Sequence, residues 1–162
     1  MKASTMNPPS PVLQPVQPSD FDAMVALRIA ALRESLERLG RFDPVRAGER
    51  LAAGFAPPHM HHIVVGGERV GFVTLRLDSA AQPPSLRIDH LYLLPIAQGQ
   101  GIGTWVLDWA KAQAVQRQCD ITQAALKQSE ANRFYLRHGF VPTGDSAFDT
   151  EYRWSVIAAV AA

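Results

Sequence analysis

The part of the sequence with the clearest capacity for chemistry is a glycine-rich loop between a predicted strand and a predicted helix. Its glycines occupy alternating positions, Gly99, Gly101 and Gly103. Glycine permits positive φ and lets backbone N–H groups approach a ligand closely. The first turn of the following helix adds free N–H groups and the positive end of the helix dipole. Together these features predict a phosphate-binding site, and a glycine-rich turn without a ligand is the alternative.

Two common phosphate-binding motifs do not fit this loop. A Rossmann fingerprint would need a glycine at the position of Thr104, and a Walker A loop would need a lysine that is absent. Little positive side-chain charge lies nearby in the sequence, so backbone amides would have to hold the phosphate. The residue pattern therefore favours a loop that binds its ligand through the main chain.

The segment 91–103 (LYLLPIAQGQGIG) resembles the cofactor motif of the GNAT superfamily of acyl-CoA-dependent N-acyltransferases. That motif is Arg/Gln-x-x-Gly-x-Gly/Ala after a strand, and it is matched by Gln98, Gly101 and Gly103. Downstream, the segment 131–140 (ANRFYLRHGF) resembles the family's helix that ends in Tyr-x-x-x-Gly-Phe. The resemblance covers roughly residues 12 to 156. Two motifs in the correct order are much harder to obtain by chance than either one alone.

The resemblance implies both a fold and a reaction. The family fold is an α/β domain with a mixed, mostly antiparallel central sheet, helices on both faces and central strands that splay apart. The implied reaction transfers the acetyl group of acetyl-CoA, the acyl-donor cosubstrate, to a primary amine by direct attack. We expect no metal, because the three histidines of the segment 59–62 have no cysteine or carboxylate clustered with them.

The resemblance also implies which residues contact the cofactor. The pantetheine arm would enter an opening between the strand that ends at Leu94 and the strand that begins at Ile121. Backbone groups of Leu91, Leu93 and Leu94 would align it, and the N–H of Leu93 would stabilise the developing oxyanion. Many relatives carry an Asn for the pantetheine where this chain has Ser129 or Gln128. The further implied contacts come from the loop and from the two helices beside it: Gln98, Gly99, Gln100, Gly101, Ile102, Gly103, Thr104, Ser129 and Asn132.

Acyl transfer needs a neutral amine and a proton for the departing CoA thiolate. Tyr135 holds the family's Tyr position and is the candidate general acid, and a tyrosine packed at a helix end is the alternative. We expect the acceptor to be a small-molecule amine. A peptide acceptor, through its N-terminus or a lysine, and a catalytically silent acyl-CoA-binding sensor are the alternatives. Homodimerisation through the C-terminal strand stays open.

The candidate general base is Asp89, in the strand before the cofactor loop. A period of two places Asp89 on the same face as Leu91 and Leu93, and His90 on the opposite face. The alternative for Asp89 is a salt bridge to Arg87. His90 has the better intrinsic pKa for a base. Besides Asp89, the general base can therefore be His90 or a chain of waters, and the sequence does not decide among them.

Helices and strands that would position these residues are visible along the whole chain. Apolar residues at steps of three and four predict a first helix with Ser19 as its N-cap and Gly40 at its end. Asp43 followed by Pro44 predicts the start of a second helix. The predicted order is βααβββαβαβ, with strands over 12–16, 61–65, 69–77, 86–94, 121–126 and 148–156 and helices over 19–40, 44–54, 101–118 and 129–138.

Bulk properties limit the class of protein. A chain of 162 residues fits one domain, which we predict over residues 11–157, with a disordered tail over 1–10 and a short tail over 158–162. A net charge of +1 gives no field that would recruit nucleic acid or a membrane. The lone Cys119 and the lack of a secretory h-region lead us to expect a cytoplasmic protein.

Overall fold

A computed structural model of the chain describes residues 9–161. All ten predicted helices and strands are present, and two further elements follow the fourth helix. Residues 1–8 of the predicted N-terminal tail lie outside the described part. In chain order the elements are β1 (Val12–Pro15), α1 (Phe21–Arg38), α2 (Pro44–Ala53), β2 (Met60–Val65), β3 (Glu68–Asp78), β4 (Ser85–Leu93), α3 (Ile102–Arg117), β5 (Ile121–Leu126), α4 (Glu130–Arg137), β6 (Val141–Asp145), β7 (Asp149–Trp154) and α5 (Val156–Ala161).

The seven strands form a sheet in the order β1-β2-β3-β4-β5-β7-β6. Neighbouring strands are antiparallel, except that β4 and β5 are parallel. These two central strands pair only over 86–88 against 121–123. Beyond that segment they no longer pair, which leaves an opening in the middle of the sheet. The predicted fold class, a mixed and mostly antiparallel sheet that splays at its central strands, is confirmed.

Helices cover both faces of the sheet, and each face has its own apolar core. On one side, which we call the α3 face, Val106 of α3 packs in the same buried cluster as Ile121 of β5. On the other side, which we call the α1 face, Met24 of α1 and Leu51 of α2 pack against Phe72 of β3. Burying side chains of this size contributes about 1.5–3 kcal/mol each. The two cores hold the opening between β4 and β5 in place from both sides.

Short sequence signals set the helix ends, as predicted. The Asp43 carboxylate accepts hydrogen bonds from two N–H groups in the first turn of α2, at 3.1 and 3.3 Å. At the end of α4, Gly139 has a φ of +86°, which reverses the chain. The next residue, Phe140, is buried and donates its N–H to the carbonyl of Tyr135 at 3.0 Å. This turn fixes the half of α4 that carries Tyr135.

Two elements and one helix cap differ from the predictions. Strand β6 was not predicted, because all five of its residues are exposed and include a proline and a glycine, so they show no period of two. The C-terminal residues form α5, where a strand end and a tail were expected. Ser19 is not the N-cap of α1, because Pro18–Asp20 forms a 3-10 turn and the helix begins at Phe21. The domain limits at residues 11 and 157 stay a prediction.

None of the helices in the described part of the chain combines the length and the apolar character that crossing a bilayer requires. Over the same residues, 9–161, His, Cys, Asp and Glu side chains form no group of three or more that could hold a metal ion. Cys119 is a buried free thiol.

Candidate active site

The glycine-rich loop joins β4 to α3. Gly99 and Gly101 have φ of +74° and +81°, a conformation that residues with a side chain rarely adopt. A Cβ added at either position would meet no atom within 4 Å, so the backbone conformation, and not crowding, requires glycine. Gly101 is the N-cap of α3, and no side chain hydrogen-bonds to the N–H groups of the first turn. These N–H groups are therefore available to an anion.

Gly103 is favoured for a different reason, because it lies against α4. A Cβ at this position would come within 3.0 Å of the Phe134 ring. One residue further on, the Thr104 hydroxyl lies 3.1 Å from Nε2 of His138. The close approach of α4 to the start of α3 brings the two motifs recognised in the sequence side by side.

The other side chains of the loop serve its own structure. Gln98 donates an amide hydrogen bond to the carbonyl of Leu93 at 3.1 Å, and Gln100 donates one to the carbonyl of Ile96 at 2.9 Å. Ile102 is buried in the core of the α3 face. Only the backbone of Gln100 and Ile102 is therefore offered to a ligand.

The edge of β4 that faces the opening has no neighbouring strand beyond residue 88. The carbonyl of Tyr92 points towards β3, since a Cβ on Gly71 would lie 2.1 Å from it. The N–H of Leu94 also points there and donates to a β3 carbonyl at 2.8 Å. Peptide groups alternate sides along a strand, so those of Leu91 and Leu93 point into the opening. Because the N–H of Leu94 is already paired with β3, we expect Leu91 and Leu93, and not Leu94, to align an extended ligand.

A cleft of about 570 Å³ lies where β4, the glycine loop, α4 and α1 meet. Both motifs recognised in the sequence contribute to its walls. Nine of the predicted site residues line it: Leu91, Leu93, Gln98, Gly99, Gly101, Gly103, Thr104, Ser129 and Tyr135. Five others lie outside its lining: Asp89, Leu94, Gln100, Ile102 and Asn132.

Tyr135 places its hydroxyl in the interior beside the cleft. The residue is 3% exposed, and its ring packs against Phe140 and Tyr152. The hydroxyl oxygen accepts a hydrogen bond from the side-chain amide of Gln123 on β5. Burial, assisted by the nearby phenol of Tyr92, raises the pKa of Tyr135. The hydroxyl therefore keeps its proton at neutral pH, as a general acid must.

On the α1 face, His90 forms a cluster with Tyr92 and Arg28, two residues for which the sequence showed no signal. The Tyr92 hydroxyl accepts a hydrogen bond from Nε of Arg28 at 3.3 Å and lies 3.2 Å from Nδ1 of His90. Tyr92 itself lines the cleft. Burial lowers the pKa of His90 to about 4, the charge of Arg28 acts in the same direction, and the charge of Asp89 opposes it. At neutral pH the His90 imidazole is therefore uncharged.

The expectation that Asp89 shares a face with Leu91 and Leu93 is wrong. Ile88 and His90 pair with consecutive residues of β3, and Asp89, between them, has no partner. This bulge reverses the alternation of β4. As a result Ile88, Leu91 and Leu93 pack against the same core on the α3 face, and Asp89 turns to the other side.

The Asp89 carboxylate is held by two arginines. It accepts hydrogen bonds from Nε and Nη2 of Arg76, the second at 3.2 Å, and lies 3.9 Å from Nε of Arg87. Arg87 makes its shorter ion pair with Glu151, at 2.7 Å. A carboxylate held in this way has few lone pairs left for a substrate proton.

Ser129 and Asn132 stabilise the turn between β5 and α4. The Ser129 hydroxyl donates to the carbonyl of Leu126 at 2.6 Å, and the Asn132 amide donates to the same carbonyl at 2.9 Å. The amide oxygen of Asn132 accepts a hydrogen bond from Tyr152 at 2.7 Å. The Asn132 side chain is therefore used within the protein, whereas Ser129 remains at the wall of the cleft.

The fold and the cleft together define a class of protein. A free strand edge that leads into an anion-binding loop suits a ligand with an extended arm and a diphosphate, which is the shape of acyl-CoA. A buried, protonated phenol beside that edge suits the release of a thiolate. These are the requirements of an acyl-CoA-dependent acyltransferase.

Comparisons with known proteins identify the family. The model of the acetyltransferase (GNAT) domain matches residues 58–142. The chain is 31% identical over 127 residues to the aminoalkylphosphonate N-acetyltransferase of Salmonella typhimurium, an alignment that covers 75% of this chain and 79% of that relative. The chain therefore belongs to the GNAT family and is an acetyl-CoA-dependent N-acetyltransferase, which confirms the resemblance seen in the sequence.

Solved structures share the fold at low sequence identity. The paiA N-acetyltransferase of Thermoplasma acidophilum, in complex with coenzyme A, superposes with a TM-score of 0.71 at 13% identity, over 90% of this chain and 99% of that one. An acetyltransferase of Thermus thermophilus has a TM-score of 0.71 at 18% identity, over 91% and 98% of the two chains. At these identities the likeness concerns the fold alone.

Proposed function

We propose that the chain acetylates the primary amine of a small molecule. The observation that carries this proposal is that the free edge of β4 at Leu93 and the buried Tyr135 border one cleft, which extends onto α1. A cofactor that enters from the glycine loop occupies the α3 side, and the α1 side remains for the acceptor. The name of the Salmonella relative, which describes a small amine as its acceptor, supports the same choice.

In the proposed reaction, N–H groups of the glycine loop bind the pyrophosphate and the pantetheine arm lies along β4. The N–H of Leu93 hydrogen-bonds to the thioester carbonyl and stabilises its negative charge as the amine attacks. The C–N bond forms, the C–S bond breaks, and the Tyr135 hydroxyl gives its proton to the CoA thiolate. The proton that the amine loses restores the neutral phenol.

For the proton that leaves the amine, the contacts favour the pair of Tyr92 and His90 over Asp89 as the first acceptor. Tyr92 lines the cleft and contacts His90, whereas Asp89 lies outside the cleft and is held by arginines. We assign Asp89 an indirect role, because its charge favours the imidazolium form of His90. The direct role predicted for Asp89 requires that it leave its arginine partners.

A panel of acceptors tests the proposed function. The protein is incubated with acetyl-CoA and with small primary amines or peptides, and both free CoA thiol and acetylated products are measured, the latter by mass spectrometry. We expect acetylation of small amines. Acetylation of peptides alone would contradict the small-molecule assignment, and binding of acetyl-CoA without turnover on the whole panel would indicate a silent sensor. The cytoplasmic location and the dimer stay predictions.

A further inference from the structure

Arg28 of α1 is a buried cation without a counter-ion. Only 6% of the surface of Arg28 is exposed to solvent. The guanidinium donates to the Tyr92 hydroxyl, lies 5.4 Å from the centre of the same ring, and approaches the carbonyl of Ala47 at 3.5 Å. None of these partners carries a negative charge, and across residues 9–161 no carboxylate lies within 4 Å of the guanidinium.

Such an arrangement is unusual because burying an uncompensated charge costs several kcal/mol. Three arginines on strands of the sheet provide a comparison with Arg28. They are more exposed than Arg28, and each is paired with a carboxylate: Arg76 with Asp89, Arg87 with Glu151 and Arg153 with Asp120. The missing partner of Arg28 therefore points to an anion that comes from outside the chain.

The position of Arg28 links it to the acceptor side of the cleft. Ala31, Leu32 and Ser35 follow it by three, four and seven residues, which places them on the same side of α1, and all three line the cleft. Tyr92, its partner, lines the cleft as well. Arg28 lies on the α1 face of β4, across the sheet from α3 and its glycine loop, so the expected anion is not the cofactor's pyrophosphate.

We propose that the acceptor is an amine that carries an anionic group, and that Arg28 and Tyr92 bind this group. One anionic oxygen accepts from the Arg28 guanidinium and another from the Tyr92 hydroxyl, in charge-assisted hydrogen bonds. The amine then points towards Leu93 and the thioester. This inference rests on the proposed function, and it narrows the substrate class to short zwitterionic amines. A phosphonate and a carboxylate share the required chemistry.

Three amines of similar size test whether the acceptor carries an anion and whether this anion is a phosphonate or a carboxylate: aminomethylphosphonate, glycine and glycinamide. The measured quantity is kcat/KM with each amine at saturating acetyl-CoA. We expect the wild-type protein to prefer at least one anionic amine over the neutral glycinamide by about tenfold or more. A higher kcat/KM with aminomethylphosphonate than with glycine indicates that the bound group is a phosphonate, and the reverse order indicates a carboxylate.

Variants test whether Arg28 is responsible. Arg28→Met keeps the aliphatic stem, and we expect it to lower kcat/KM for the anionic amine by about tenfold to a hundredfold while changing glycinamide turnover by less than about threefold. Arg38→Gln is the matched control, because Arg38 lies on the same helix and lines the cleft but is exposed. We expect it to keep the wild-type preference.

Folding defects are separated from binding defects by two further variants. Arg28→Lys keeps the charge, and Tyr92→Phe keeps Arg28 but removes one donor, so both should reduce the preference for anionic amines in a folded protein. Tyr92→Phe should in addition lower kcat with glycinamide, because Tyr92 belongs to the proposed proton acceptor. Circular dichroism and acetyl-CoA calorimetry check the fold and the cofactor site. A wild-type protein that acetylates glycinamide as well as it acetylates both anionic amines would overturn the inference but keep the proposed function. A wild-type protein that acetylates neither these three amines nor any other small amine of the panel would overturn both.

Discussion

Replacing Tyr135 with phenylalanine removes one oxygen atom and has two separable consequences. The first is chemical, because a positioned general acid contributes about 10²–10⁴-fold to a rate. We expect kcat to fall at least about tenfold, a threshold set below that range. Acetyl-CoA affinity should stay nearly unchanged, because in the proposed reaction the hydroxyl meets only the leaving thiolate, whereas the glycine loop binds the pyrophosphate.

The second consequence concerns stability, and its size follows from the contacts of Gln123. This residue is buried, its Nε2 donates to the Tyr135 hydroxyl, and its Oε1 has no hydrogen-bond partner among the described residues. A buried donor that loses its acceptor costs about 1–3 kcal/mol. We expect Tyr135→Phe to lower the free energy of unfolding by this amount. Adding Gln123→Leu should recover part of the stability and none of the turnover.

Three measurements on the same preparations decide the matter: CoA thiol release for kcat, calorimetry for acetyl-CoA affinity and urea denaturation for stability. Tyr152→Phe is the matched control. The centre of its ring lies 5.9 Å from that of Tyr135, but its hydroxyl donates to Asn132 in the first turn of α4. We expect this control to keep kcat within about threefold. Unchanged turnover in Tyr135→Phe, or an equal loss in the control, would refute the assignment of the acid.

Three other predictions follow from backbone conformation and from burial. Gly101→Glu should abolish acetyl-CoA binding in calorimetry, because it strains the loop backbone and puts a negative charge against the pyrophosphate. Gly67→Glu is the control: Gly67 has the same φ of +81° and equally open surroundings, so this variant should bind acetyl-CoA normally. Gly71→Ala should lower both urea stability and kcat, because its Cβ would lie 2.1 Å from the carbonyl of Tyr92 and force β3 away from β4; wild-type values would contradict this packing. The folded-state pKa of His90, about 4, lies below its ordinary value of 6.5. The unfolded chain therefore binds the proton first as the pH falls between these values, and stability drops by up to about 3 kcal/mol. Denaturation at several pH values should show a smaller drop in His90→Gln, and an equal drop would contradict the burial of the imidazole.

The proposed cofactor half of the site could be predicted from the sequence because its determinants are local. The turn at Gly99 and Gly101 needs positive φ, and that need is visible as glycine spacing. In the same way, Gly139 marks the end of the helix that carries Tyr135, and Asp43 marks the start of α2. Capping and turn signals depend on a few adjacent residues, so they are recognisable without knowing what packs against them.

The acceptor half was decided by tertiary structure. Asp89 changed sides because β4 bulges where it pairs with β3, and a bulge is a property of two strands together. In the sequence, Arg28 is one of several polar residues of α1, and nothing local distinguishes it from the others. The packing of α1 against α2 and β4 buries it beside Tyr92 without a counter-ion. Burial and charge pairing arise from residues far apart in the chain, and no local period encodes them.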